Sequence, residues 1–177
     1  MATTYLSHED SELLRQASRS YRGIRCIEIG IGYGSNLVEM KGKYDMLVGT
    51  DVSKTEAFER DDMEGINLIR TDIASCVRSG TFDLVLMNPP YLPSSSIEDS
   101  TVDGGKHDGF EIPERFLVDA LRIIKPNGRI LLVISSETSV KRFERFCEEN
   151  QLVFRAILRK HLFFEDLLVY ELQKLTP

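Results

Sequence analysis

Residues 82–93 read FDLVLMNPPYLP, and the division of that run decides the fold. Phe82 to Met87 is apolar at nearly every position, without the alternation of a half-buried strand. It predicts a strand covered on both faces, the kind found in parallel sheets. Asn88-Pro89-Pro90-Tyr91 ends it abruptly. Neither proline has an N–H to give to a sheet ladder, so the chain must leave the sheet there. A rigid corner alone does not need an amide, two prolines and an aromatic ring together, and the tetrapeptide reads as a functional element.

Working outward, the same kind of apolar run recurs as CIEI and ILLVIS, and strands are predicted over Arg25–Ile29, Met46–Thr50, Ile66–Arg70, Phe82–Met87 and Arg129–Ser135. Helices fill the intervals. Glu9–Ser20 carries Leu13, Leu14 and Ala17 on one side. Pro113–Ile124 repeats Phe116, Leu117, Ala120, Leu121 and Ile124 at helical spacing and stops at Lys125-Pro126-Asn127-Gly128. Val140–Glu149 places Val140, Phe143 and Cys147 on one stripe. Two last strands, near Leu152–Lys160 and Leu167–Leu172, are joined by HLFFED, which is too short for a helical crossover, so they form an antiparallel hairpin at one edge. The expected fold is α/β: a doubly wound, mostly parallel seven-stranded sheet of Rossmann-like class with a C-terminal antiparallel hairpin. One domain over residues 1–177 is expected, with a long substrate-side loop at 92–112.

Composition removes several classes of function. The chain has 177 residues, 42% hydrophobic and 28% charged, with a formal net charge of −6. That balance argues against a broad nucleic-acid grip, which needs a basic face, while leaving room for a local basic patch. No apolar run approaches the roughly 18 residues of a membrane span, and the early acids of MATTYLSHEDSELL do not make a secretory signal. Cys26, Cys76 and Cys147 are widely spaced and odd in number, and His8, His107 and His161 show no ligand spacing. Metal is therefore not expected, and the cysteines read as small buried hydrophobes of a reducing, cytoplasmic compartment.

The run Glu28-Ile29-Gly30-Ile31-Gly32-Tyr33-Gly34 lies where the first strand passes into the next element. Glycines at alternate positions, Gly30 and Gly32 first, let the backbone turn tightly and approach a ligand. The run lacks the later third glycine of the dinucleotide fingerprint and the Lys-Ser/Thr of a P-loop. Asp51 closes the second strand, 21 positions after Gly30, placed to accept ribose hydroxyls. Asp72 and Ile73 close the third, where an acid and an apolar neighbour bracket an adenine. Each residue alone also reads as a turn former or helix cap. Three successive strands ending in an acid describe a pocket with no phosphate grip, which suits a cationic adenosine ligand, S-adenosylmethionine, better than NAD or ATP.

Asn88 then has a chemical reading. An amide or aromatic amine nitrogen is a poor nucleophile because its lone pair is delocalised. The Asn88 side-chain oxygen and the Pro89 carbonyl can each accept one of its two N–H bonds, and positioning with preorganised acceptors supplies most of the catalysis. Pro89 and Pro90 stiffen the loop and free its carbonyls, and Tyr91 offers a face for a flat group.

With these residues in place the chain resembles a class I S-adenosylmethionine-dependent methyltransferase, most of all the HemK/PrmC family of glutamine methyltransferases acting on translation release factors. The resemblance runs through Glu9-Asp10-Ser11, EIGIGYG, Asp51, Asp72, NPPY and Gly104-Gly105…Asp108-Gly109. It implies cofactor contacts at Ser11, Glu28, Gly30, Asp51, Asp72, Ile73 and Asn88, with residues 1–22 as a helix completing that pocket. It implies a substrate-amide clamp at Asn88, Pro89, Pro90 and Tyr91. Glu9-Asp10-Ser11 also reads as a helix cap. Bacterial members carry an N-terminal helical domain for which the residues before Glu28 are too few. The resemblance is therefore to the short eukaryotic and archaeal subfamily, which modifies the glutamine of a Gly-Gly-Gln loop with a small zinc-binding activator subunit. On that reading zinc belongs to the partner, and Ile66–Arg70, expected at a sheet edge, is where it adds a strand.

Two other readings stay open. NPPY fits an adenine amine of RNA or DNA equally well, although the acidic charge leans toward protein, and another protein nitrogen such as a lysine amine fits too. A non-catalytic cofactor-binding scaffold is the other, disfavoured because acids and clamp occur together.

Overall fold

The computed structural model describes residues 3–93, 104–105 and 108–175. Its elements are α1 (Thr3–Ser18), β1 (Gly23–Ile29), α2 (Ser35–Glu39), β2 (Tyr44–Asp51), β3 (Ile66–Arg70), β4 (Phe82–Met87), α3 (Glu111–Ile123), β5 (Ile124–Ser135), α4 (Val140–Glu149), β6 (Leu152–His161) and β7 (Asp166–Lys174). Two short 3-10 turns, Glu56–Glu59 and Asp61–Met63, fill the interval between β2 and β3.

The seven strands form one sheet in the order β3-β2-β1-β4-β5-β7-β6. The first five are parallel to their neighbours, and β7 runs antiparallel between β5 and β6. This is the expected α/β architecture with its hairpin at one edge, and β3 closes the other edge. Successive residues of a strand point to opposite faces. Cys26, Ile27, Glu28 and Ile29 are all buried, as are Ile130 to Ser135, so both faces of the central strands are covered. That is why these runs are apolar throughout rather than alternating.

Two local expectations are revised, and the first-turn position of Pro113 is kept. Helix α1 begins at Thr3, so Glu9-Asp10-Ser11 lies in its interior and is not its cap. Pro113 falls in the first turn of a helix that starts at Glu111, where a missing N–H costs nothing. Lys125-Pro126-Asn127-Gly128 is not a turn ahead of β5. It is a bulged segment within β5, between the pairings Phe82↔Ile124 and Leu84↔Arg129, and Lys125 Nζ reaches Asp83 Oδ1 at 2.6 Å. The same carboxylate accepts from the backbone N–H groups of Ile24 and Arg25. Asp83 thus fastens β1, β4 and β5 at their lower rim, and these donors hold its pKa below the ordinary range despite its partial burial.

The strand order reverses at β1. Its sequence neighbour β2 lies on one side and β4 on the other, with Ile29 opposite Met87. A doubly wound sheet opens a crevice above such a switch point, at the carboxyl ends of its strands. The residues that follow β1 and β4 there are Gly30 and Asn88.

Candidate active site

The loop after β1 is stitched to the end of β2. The N–H groups of Gly30 and Ile31 both donate to the Thr50 carbonyl at 2.9 Å, and Gly32 N–H donates to Asp51 Oδ2 at 3.2 Å. Gly30 has φ +74, a conformation that favours glycine, and a Cβ there would stand 3.3 Å from the Phe116 ring of α3, close enough that the ring would have to give slightly. Above Gly32 there is open space, with nothing within 4 Å of where its Cβ would be. Asp51 also accepts from Ser53 N–H at 3.0 Å, and each of its oxygens keeps a further lone pair for a ligand.

Glu28 is only 2% exposed. One of its oxygens accepts from Asn36 Nδ2 at 2.6 Å, while Oε2 is buried without a partner among the described residues. Burial raises its pKa to about 8 against the opposing hydrogen bonds of Asn36 and the Leu37 N–H, with a smaller push from the charge on Asp51. A cation placed beside that carboxyl would favour its charged form and draw off the proton that burial retains.

Asp72 stands further out, 66% exposed and paired with Arg115 Nη2 at 3.3 Å. Ile73 has φ +51. A β-branched residue in the left-handed region is strained by about 1–3 kcal/mol and persists only where its surroundings impose it. Here α3 imposes it. Asp119 Oδ2 accepts from Ala74 N–H at 3.0 Å, and Arg122 donates to the carbonyls of Ala74 and Val77 while pairing with Asp119.

Asn88 follows β4 and turns its amide toward α1, where Nδ2 donates to Ser11 Oγ at 3.4 Å. Its Oδ1 is buried and accepts nothing from the described residues. Two residues of the sequence reading are thereby brought together, with the amide oriented so that the acceptor is left free. Tyr91 is less accessible than the sequence reading expects. It is 7% exposed, its hydroxyl donates to Asp10 Oδ2 at 3.1 Å, and its carbonyl accepts from Thr138 Oγ1 at 2.9 Å. In this arrangement the ring is a fixed post beneath the loop.

Gly104 and Gly109 complete the support. A Cβ on Gly109, whose φ is +67, would lie 2.2 Å from the Tyr91 carbonyl oxygen, and one on Gly104 would lie 2.2 Å from the Gly109 carbonyl oxygen. Gly104 N–H donates to the Leu92 carbonyl at 2.8 Å. The glycines backing NPPY therefore pack backbone against backbone. Asp108 beside them accepts from Arg142 Nη1 at 2.8 Å. Residues 94–103 and 106–107 of the long loop lie outside the described residues.

Sequence reasoning missed Asp10, Asn36 and Thr138 as supporting residues. Asp10 carried a signal, since a carboxylate at a helical position flanked by buried leucines needs a partner. Asn36, eight residues from Glu28, and Thr138, 47 residues from Tyr91, carried none, because no local pattern pairs them with those partners.

With β1 and β4 bordering the switch point in this way, the architecture is that of the Rossmann-like methyltransferases. The chain belongs to the methyltransferase small domain family, which matches residues 10–156. It is 32% identical, over 93% of its own length and 89% of the other, to a Methanocaldococcus jannaschii protein provisionally named protein N5-glutamine methyltransferase. It is 29% identical to the release factor glutamine methyltransferase of Gloeobacter violaceus, over 66% of this chain and 47% of that protein. A chain of the E. cuniculi Mtq2–Trm112 complex, described as responsible for methylation of the eRF1 translation termination factor, superposes with a TM-score of 0.76 over 94% of this chain and 95% of that one. At 23% identity that likeness is one of fold.

Proposed function

We propose that this protein methylates the side-chain amide nitrogen of a glutamine in a translation release factor, using S-adenosylmethionine. The observation that carries the reading is Asn88 Oδ1, a buried acceptor without a partner among the described residues, held beside the switch point by Ser11. Names of the relatives point the same way.

The residues present fit that cofactor. Glu28 Oε2 is an orphaned buried acid oxygen, space is open above Gly32, and the glycine loop has no phosphate-binding lysine. In this assignment Asp51 takes the ribose hydroxyls, Asp72 and Ile73 border the adenine, and Gly30, Gly32, Glu28 and Ser11 line the rest. When bound, the cofactor supplies an electrophilic methyl group on a sulfonium.

The chain's own residues do the remainder. Asn88 Oδ1 and the Pro89 carbonyl accept the two N–H bonds of the glutamine amide and hold its nitrogen with the lone pair toward the incoming methyl. A new N–C bond would form as the methyl–sulfur bond broke and S-adenosylhomocysteine left; positive charge would grow on that nitrogen, and one of its two N–H protons would pass through its acceptor to solvent. The two acceptors therefore bind the transition state more tightly than the ground state. Pro89, Pro90 and the Asp10-anchored Tyr91 keep them in place, so little reorganisation is needed at the moment of transfer. Residues 92–112 are assigned to the substrate side.

A small zinc-binding activator is the proposed partner, docking by strand addition on β3, the edge strand opposite the hairpin. Cys26 and Cys147 are buried free thiols as expected, whereas Cys76 is exposed; free thiols suit a reducing cytoplasmic compartment.

The test is methyl transfer from labelled cofactor to purified release factors and to RNA, with and without the activator, followed by mapping of the modified residue. A methylated glutamine in the release factor supports the reading. Label in adenine, or in another protein nitrogen, refutes it.

A further inference from the structure

The hairpin joining β6 and β7 carries a feature that the reaction itself does not use. At its tip, Phe163 is 89% exposed and Phe164 86%, with their rings edge to face at a centroid separation of 4.6 Å. Hairpin turns are ordinarily built from small and polar residues. Two adjacent phenylalanines in water forgo the burial that normally justifies such side chains.

The tip lies on the reactive rim of the sheet. Strand β7 pairs with β5 so that Ser135, the last residue of β5, faces Leu167. Met87, the residue before Asn88, pairs with Leu132 of the same strand. Three residues of β5, on the order of 10 Å, separate the level of Met87 from that of Leu167 at the base of the turn, and the tip extends beyond it. The turn is fixed there by Leu162 N–H to the Glu165 carbonyl at 2.8 Å and Ser136 N–H to the Asp166 carbonyl at 2.8 Å. Ser135 Oγ also donates to the Glu165 carboxylate. The Glu165 charge reaches the Tyr91 hydroxyl and helps to raise its pKa, and Thr138, three residues after Ser135, holds the Tyr91 carbonyl. A short chain of hydrogen bonds therefore runs from Glu165, in the turn that carries the rings, through Ser135 and Thr138 to the Tyr91 carbonyl of the NPPY loop.

We infer that the Phe163–Phe164 tip is a docking knob that seats on an apolar patch of the protein substrate, next to the loop whose amide enters the clamp. The inference rests on the proposed reading of that substrate as a protein. Two phenylalanine side chains present about 150–250 Å² each, well below the roughly 800 Å² per partner of a stable interface. That is too little for a permanent dimer and suits a contact made and broken at every turnover. Its continuity with Tyr91 identifies the occupant as the molecule being modified.

The experiment compares the full chain with its Phe163→Ser/Phe164→Ser variant on intact release factor and on a short peptide bearing the same glutamine. For the intact protein, KM should rise at least tenfold with kcat preserved, and Phe163→Leu/Phe164→Leu should restore most of it. The peptide should show no difference, and cofactor affinity and Tm should not move. An unchanged KM for the intact protein overturns the inference alone. So does loss in the variant of self-association, or of binding to phosphatidylcholine–phosphatidylglycerol vesicles, without a change in KM. No transfer or binding to release factor by the unaltered chain overturns the inference together with the reading on which it rests.

Discussion

The Tyr91 hydroxyl donates to Asp10 Oδ2 across 81 residues of sequence, and both partners are buried. The loop after β4 is thereby anchored to the middle of the first helix. Burial, reinforced by the Asp10 charge, pushes the Tyr91 pKa far above the ordinary phenol value, so near neutral pH the phenol is the donor of this bond. Tyr91→Phe leaves a buried carboxylate oxygen without that partner. It should cost about 1–3 kcal/mol in denaturant unfolding. A double-mutant cycle with Asp10→Asn should return a coupling of at least about 0.5 kcal/mol, since the two groups touch.

Asn88→Ala removes the free acceptor and leaves the fold's larger contacts intact. Methyl transfer should fall by about 100-fold or more, the scale of losing one preorganised donor or acceptor at a reacting centre. Cofactor affinity, read by calorimetry, should change by less than about tenfold, because Glu28 and Asp51 remain. Unchanged transfer would remove Asn88 from the clamp.

Glu28 makes the cofactor-free protein sensitive to alkali. Its pKa is raised in the folded chain to about 8 by burial. Between the ordinary carboxylate range and that value the folded chain holds a proton that the unfolded chain has released. Its contribution to stability is therefore complete below the unfolded pKa and is lost as pH climbs to about 8. Tm measured without cofactor should fall from pH 6 to pH 8.5, and Glu28→Gln should flatten that slope. A cationic ligand favours the charged carboxylate, so calorimetry near pH 7 in buffers of different ionisation enthalpy should show proton release on cofactor binding. Glu28→Gln should abolish it.

Two glycine substitutions should separate stability from ligand space. Gly109→Ala drives a Cβ to 2.2 Å from the Tyr91 carbonyl oxygen at φ +67. It should lower stability by about 2 kcal/mol or more and disable transfer. Gly32→Ala meets nothing within 4 Å, so its cost is limited to the left-handed backbone at φ +50, about 1–2 kcal/mol. Cofactor affinity, however, should fall sharply, because the methyl enters the open space above the loop. Thermal unfolding and ligand titration on both variants test the contrast.

The sheet was legible because its signals are local. Cys26–Ile29, Phe82–Met87 and Ile130–Ser135 announce doubly covered strands by their apolarity, and the length of HLFFED excludes a crossover between β6 and β7. The acids at the ends of β1, β2 and β3 follow from those strand ends. What stayed hidden depends on contacts between remote residues. Glu9-Asp10-Ser11 resembles a cap in isolation, but in the fold it reaches Lys160, Tyr91 and Asn88 in turn. The bulge at Lys125-Pro126-Asn127-Gly128 has a local signal in its proline and glycine, which also reads as a turn; that Lys125 reaches Asp83 across it is visible only in the fold. The need for glycine at 104 and 109 is set by Tyr91, which precedes both in the chain.

The Thr138–Tyr91 bond has a consequence in time. Asp10 is synthesised early and waits 81 residues for its phenol, and the carbonyl of that same tyrosine waits another 47 for a hydroxyl. At about 5–20 residues per second of translation, a chain leaving the ribosome spends several seconds with its strands growing and the loop after β4 not yet tied down. Fragments that stop short of Thr138 lack this bond, so the loop after β4 is fully tied down only once most of the polypeptide has been made.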